Sequence, residues 1–187
     1  MRIPALLLLP SILVAANDKM IDVNKSELVI HVGKAGLLSA AGHEHWVVAP
    51  ISRGEFSEGA QPRVELSVDA RKMTVRADEK TSASDRAKIQ ETMQNDVLES
   101  SKYPEVRFHS TNVTSLGAQA WKVTGTLTLH GVSKPVAVEV RRDGDVYAGS
   151  AHFKQTEFGI QPVKIAGGVV KVKDELDISF KIRAAAK

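Results

Sequence analysis

The chain has 187 residues, 43% of them hydrophobic and 25% charged, which suits one domain with a real core, is short for two and excludes disorder. A formal net charge of +3, a pI near 9.1 and basic residues scattered among acids exclude the basic stripe of a nucleic-acid binder. Cysteine is absent, which removes disulfides, thiolate zinc sites and cysteine nucleophiles together.

The first element is MRIPALLLLPSILVAAN: Arg2 as a short basic region, an apolar stretch from Ile3 to Val14, and small residues at Ala15 and Ala16. Its apolar part is about a dozen residues, below the roughly 20 that a spanning helix needs. Pro4 and Pro10 would interrupt a helix. Residues 1–16 are therefore expected to be a secretory signal cut near Ala16, leaving an exported domain over 17–187, periplasmic or secreted.

Residues 42–47 read GHEHWV. In an extended chain His43 and His45 share a face and Glu44 takes the other, because side chains alternate with a period of two. Two chemistries fit: a polar rim where a strand starts after the GLLSAAG loop, anchored by Trp46, or two ligands of a metal site that needs a third from another strand. No H-E-x-x-H, nucleophile elbow or Gly-rich phosphate loop occurs.

One segment is helical in pattern: SASDRAKIQETMQNDVLES places Ile89, Met93 and Val97 at i, i+4 and i+8, with Ser84 as the expected N-cap and a helix from about 85 to 95. Pro104 begins the next strand, and from there alternation dominates. Val106 and Phe108 oppose Arg107 and His109; Val123, Gly125, Leu127 and Leu129 oppose a row of threonines and His130; Val136, Val138 and Val140 align. In the last strand Val170, Val172, Leu176, Ile178, Phe180 and Ile182 share a face that only Asp174 breaks. By the same parity His109, His130 and His152 face outward, while that of His31 is ambiguous. Lys171 and Lys173 solubilise this strand, and Trp121 and Tyr147 read as packing residues.

Turn signals at HGVS (130–133) and RDGD (142–145) join these runs hairpin after hairpin, so the expected class is all-β, antiparallel, with one short helix. Strands with one apolar face bury it in a sandwich or a closed barrel, and periodicity fits both.

The succession KYPEVRFHST (102–111), VTGTLTLHGVSKPVAVEV (123–140) and FKQTEFGI (153–160), followed by a lysine-rich alternating strand, resembles the YceI-like family of exported polyisoprenoid-binding proteins. The likeness extends from MIDVNKSEL at residue 20 to the end of the chain. It implies a lipocalin-like extended antiparallel barrel of about eight strands, with a helix beside it and an apolar tunnel for a long isoprenoid, quinone or similar amphiphile, held for transport, storage or sequestration. It implies no catalytic residue set, no required cofactor and no metal. One departure concerns an arginine that the family often carries two residues before the acid of the last block; here Gln155 stands before Glu157, Phe158, Gly159 and Ile160.

On this reading the expected ligand-contacting wall is Phe108, Leu127, Leu129, Val138, Phe153, Phe158, Ile178 and Phe180, with His43, His45 and Asp174 as candidate polar rim groups. The expected partners are a long-chain lipid, a transient membrane-surface contact and a second copy in a homodimer, without nucleic acid. The alternative is a metal-binding protein or metal-dependent enzyme built on His43 and His45.

Overall fold

The computed structural model describes residues 17–35, 44–165 and 170–186. The expected signal (1–16) and His43 lie outside the described residues. The alternating runs form β1 (Asn17–Met20), β2 (Glu27–Ala35), β3 (His45–Val48), β4 (Ile51–Glu58), β5 (Arg63–Asp69) and β6 (Thr74–Val75). After helix α1 (Ala83–Thr92) come β7 (Glu105–Gly117), β8 (Ala120–Leu129), β9 (Val132–Asp143), β10 (Val146–Lys154), β11 (Lys164–Ile165) and β12 (Val170–Arg183).

They make one antiparallel sheet in the order β1-β4-β5-β7-β8-β9-β10-β12-β2-β3-β6, with β11 on β12. Eleven strands thus follow one another, not the eight expected. The difference comes from the short edge pieces β1 and β6 and from a break between β3 and β4. There Pro50, which has no N–H to donate, separates β3 from β4. That break also shows why the sheet must curl: β3 and β4 lie near opposite ends of the path, yet only Ala49 and Pro50 separate them.

The N-terminal strand closes the remaining seam. β1 pairs with β4, Ile21 bridges to Ala184 beyond β12, and the Asp22 and Ala185 amides donate to the Arg183 and Met20 carbonyls at 2.8 Å. The product is a strongly curled, barrel-like sheet.

Helix α1 starts two residues earlier than the sequence suggests. Its N-cap is Ser82, not Ser84: the Ser82 hydroxyl oxygen accepts from the Asp85 amide at 3.1 Å, and the same hydroxyl donates to the Asp85 carboxylate at 2.8 Å. The acid three residues on makes Ser82 the better cap, while Ser84 falls inside the first turn. After Thr92 the helix widens into a π-helical turn, Met93–Val97. Two glutamines dock it: the Gln90 side chain bonds the Val75 amide (2.8 Å) and the Met73 carbonyl (2.9 Å), and Gln94 donates to the Ala70 and Met73 carbonyls at 3.0 Å. Ile89, Met93 and Val97 consequently face the barrel interior.

Buried apolar residues gather at both ends. One cluster, including Met93, Leu98, Leu129, Phe158 and Ile160, sits under α1; a smaller one of Ile21, Ile51, Phe56 and Ile182 sits at the far end. Midway, Gly125 gives the Phe108 ring room to lie flat on the wall: a Cβ there would come within 2.5 Å of the ring and 2.4 Å of the His109 carbonyl oxygen.

Candidate functional site

Between the two clusters runs a cavity of about 1030 Å³. Its wall reaches from Ile89 and Met93 of α1 to Glu58 and Gly59 in the β4–β5 hairpin, so it extends the length of the barrel. Seven of the residues read from the sequence lie on this wall: Phe108, Leu127, Leu129, Val138, Phe153, Ile178 and Phe180. Phe158 does not. Beyond β10 the chain leaves the sheet for a 3-10 turn, Gln155–Phe158, which breaks the strand's parity and buries Phe158 completely, edge-on to Phe153.

At the α1 end, His45 lines the cavity, whereas its neighbours form an outer cluster. The His31 ring stacks on the half-exposed Trp46 and its Nε2 lies 3.2 Å from Glu44. Asp177 stands between His31 (3.6 Å) and His152 (2.7 Å), and its hydrogen bond to His152 holds the carboxyl below its ordinary range. Among the described residues no three His, Asp or Glu side chains are placed to hold a metal ion.

Asp174 is part of an irregularity where β12 slips against β2 between Val172 and Leu176. Its carboxylate accepts from the Thr156 amide (3.0 Å) and hydroxyl (2.7 Å). Its slight burial raises the carboxyl, but these bonds outweigh that and hold it below the usual range. Asp174 therefore caps the 3-10 turn and is absent from the cavity wall. Gln155, on that wall, donates to the Lys173 carbonyl at 2.7 Å across the same irregularity.

His130 differs from the outward reading. It occupies the β8–β9 turn with φ 52°, followed by Gly131 at φ 75°, and its ring is largely buried between Tyr103 and Glu99, 2.8 Å from the carboxylate.

The far end holds a polar cluster that the sequence reading passed over. Glu58 accepts from Lys19 Nζ and from the Tyr147 hydroxyl, each at 2.5 Å, and Arg142 lies 3.5 Å away. Glu58, Tyr147 and Arg142 belong to β4, β10 and β9, and β4 neighbours neither of the others, so the cluster spans the barrel. Burial pushes the Glu58 carboxyl up, but the Lys19 and Tyr147 hydrogen bonds and the Lys19 and Arg142 charges hold it below its ordinary value. Burial first, and Glu58 second, push the Tyr147 phenol up to about 12. The side chains of Lys19, Glu58 and Arg142 are 33%, 31% and 38% exposed, so this end of the cavity meets solvent. A parity signal existed: Glu58 continues the inward face of Phe56, Arg142 that of Val136, Val138 and Val140, and Tyr147 that of Phe153.

Fold and site together define a barrel-like, helix-capped antiparallel protein with an apolar interior and one charged end. The YceI-like domain profile matches residues 20–184, and the chain belongs to that family. It is 35% identical over 96 residues to a UPF0312 protein of Pseudomonas savastanoi pv. phaseolicola, and 40% identical over 96 residues to one of Pseudomonas putida (strain W619). Each match covers 46% of this chain and 48% of the relative, so the chain spans about half the length of these curated relatives. Among solved structures it is similar to Burkholderia cenocepacia BcnA (TM-score 0.66, 18% identity, 89% of this chain and 99% of that one). It is also similar to a polyisoprenoid binding domain from Saccharophagus degradans implicated in plant cell wall breakdown (TM-score 0.60, 13% identity, 92% and 100%). At these identities the likeness establishes the fold.

Proposed function

We propose that this protein binds a long apolar chain, an isoprenoid lipid, quinone or similar amphiphile, and carries or sequesters it outside the cytoplasm. The observation that carries this reading is the continuous apolar cavity of about 1030 Å³. Each buried CH₂ contributes about 0.8 kcal/mol, so a chain of some twenty carbons offers more transfer energy than the ordering costs of binding consume. Such a site needs shape and apolar surface rather than a reacting group, which favours a binding protein over an enzyme. The similarity to a polyisoprenoid binding domain supports the choice of ligand class. Export is supported by the signal pattern at residues 1–16.

Mass spectrometry of lipid extracted from natively purified protein tests the reading, with a stoichiometric long-chain lipid expected. If carefully delipidated protein takes up no prenyl alcohol, quinone or fatty amide, the reading fails.

A further inference from the structure

Among the described residues, four side chains of Lys, Arg, Asp or Glu line the cavity: Lys88 on the exposed face of α1, and Glu58, Arg63 and Arg142 together at the far end. Arg63 is engaged by Asp18 at 2.7 Å and by Glu55 at 3.4 Å, and is neutralised by them. Of the four, Arg142 faces the Glu58 carboxylate, which also accepts from Lys19, a neighbour outside the wall itself, and from the Tyr147 hydroxyl. Three donors from three strands converge on one anion, so around Glu58 itself two cations face one carboxylate.

The donors are held in place independently of Glu58. The Arg142 Nε donates to the Gly144 carbonyl at 2.9 Å, which leaves its terminal nitrogens directed elsewhere. The Tyr147 ring is fixed edge-on against Phe56 with 4.8 Å between centroids, and Lys19 lies over the Phe56 ring at 5.7 Å. Trp121, on the same part of the wall, lies 6.2 Å from Tyr147 and adds an apolar lip.

We propose that Lys19, Arg142 and the Tyr147 hydroxyl form a head-group subsite for an anionic amphiphile, a long chain ending in phosphate or carboxylate, with Glu58 as the internal anion that such a head displaces. This rests on the lipid-binding reading and adds the end of the barrel and the charge of the ligand. The tail lies toward α1, along Leu127 and Met93, and the head stays where the cavity meets solvent. Glu58, one-third exposed, turns to water as the head takes its donors. Charge-assisted hydrogen bonds to phosphate or carboxylate are about twice as strong as neutral ones, which is what lets the cluster tell an anion from an alcohol.

The test compares three ligands with the same chain, farnesol, farnesoic acid and farnesyl phosphate, by their displacement of the apolar fluorophore N-phenyl-1-naphthylamine. In the unmodified protein at low salt the anionic ligands should bind about tenfold tighter than the alcohol, an advantage that shrinks with added salt. Whichever of phosphate and carboxylate has the larger advantage is the head chemistry the subsite fits better. In the double variant Lys19→Gln, Arg142→Gln the advantage should fall below about twofold, as expected once charge-assisted bonds are lost. In Glu58→Gln, where the competing anion is gone, it should rise. The advantage is a ratio within each variant, so a general loss of stability cancels.

Equal binding of all three ligands to the unmodified protein would overturn the subsite and leave the lipid reading standing. An anionic advantage that survives in the double variant would overturn the assignment to these residues. Failure of all three to displace the fluorophore would remove the lipid reading and the subsite with it.

Discussion

Tyr147 shows burial and a neighbouring carboxylate acting on one phenol in the same direction. A group whose folded value is raised from 10.0 to about 12 adds stability that is fully present below pH 10 and lost as the pH rises through 12. With Tyr103 replaced by Phe, Tyr147 is the remaining tyrosine, and its phenolate absorbance should appear near pH 12. In Glu58→Gln the midpoint should move down, because one of its two chief causes is gone, though burial remains. Gly125 is a second residue whose surroundings decide its identity. Gly125→Ala places a methyl 2.4 Å from backbone that cannot swing aside, so overpacking should destabilise the fold by about 1–3 kcal/mol, read as a lower urea midpoint.

At the level of elements, Ser82→Ala removes the α1 cap and should cost about 1 kcal/mol by urea denaturation, whereas Ser84→Ala should be close to neutral. The two serines were separable only through Asp85, which both begins the helical pattern and completes the cap. Strands β7, β8, β9 and β12 were legible because each has one face in the cavity and one toward water, so local alternation reports a global fact. Leu127, Val138 and Ile178 could be assigned to the wall for that reason. Where the backbone leaves the sheet, parity stops carrying information: Phe158 sits in a 3-10 turn, and His130 has a positive φ inside a two-residue turn. The choice of barrel over sandwich depends on β4 meeting β1 while β3 meets β6. Those are long-range pairings that no window of residues contains. The charged end was missed for another reason, since inward parity at Glu58 and Arg142 looks like the ordinary polar end of a strand until the partners converge.

For the whole molecule, the cavity makes a prediction that its parts do not. Leu127→Trp adds volume without charge at a wall position packed against the α1-side cluster, so the barrel should still fold, with a retained circular dichroism spectrum, while affinity for an apolar chain falls at least about tenfold. The seam carries a further consequence. Residues 17–21 fill a slot one strand wide between β4 and the end of β12, and Ile21 plugs the far apolar cluster from there. A chain shortened to begin at Asp22 would present the β4 edge, from Glu55 to Glu58, with its outer backbone groups unpaired. Such a barrel is a receptor for its own missing strand. A synthetic peptide of sequence NDKMI should restore its melting temperature.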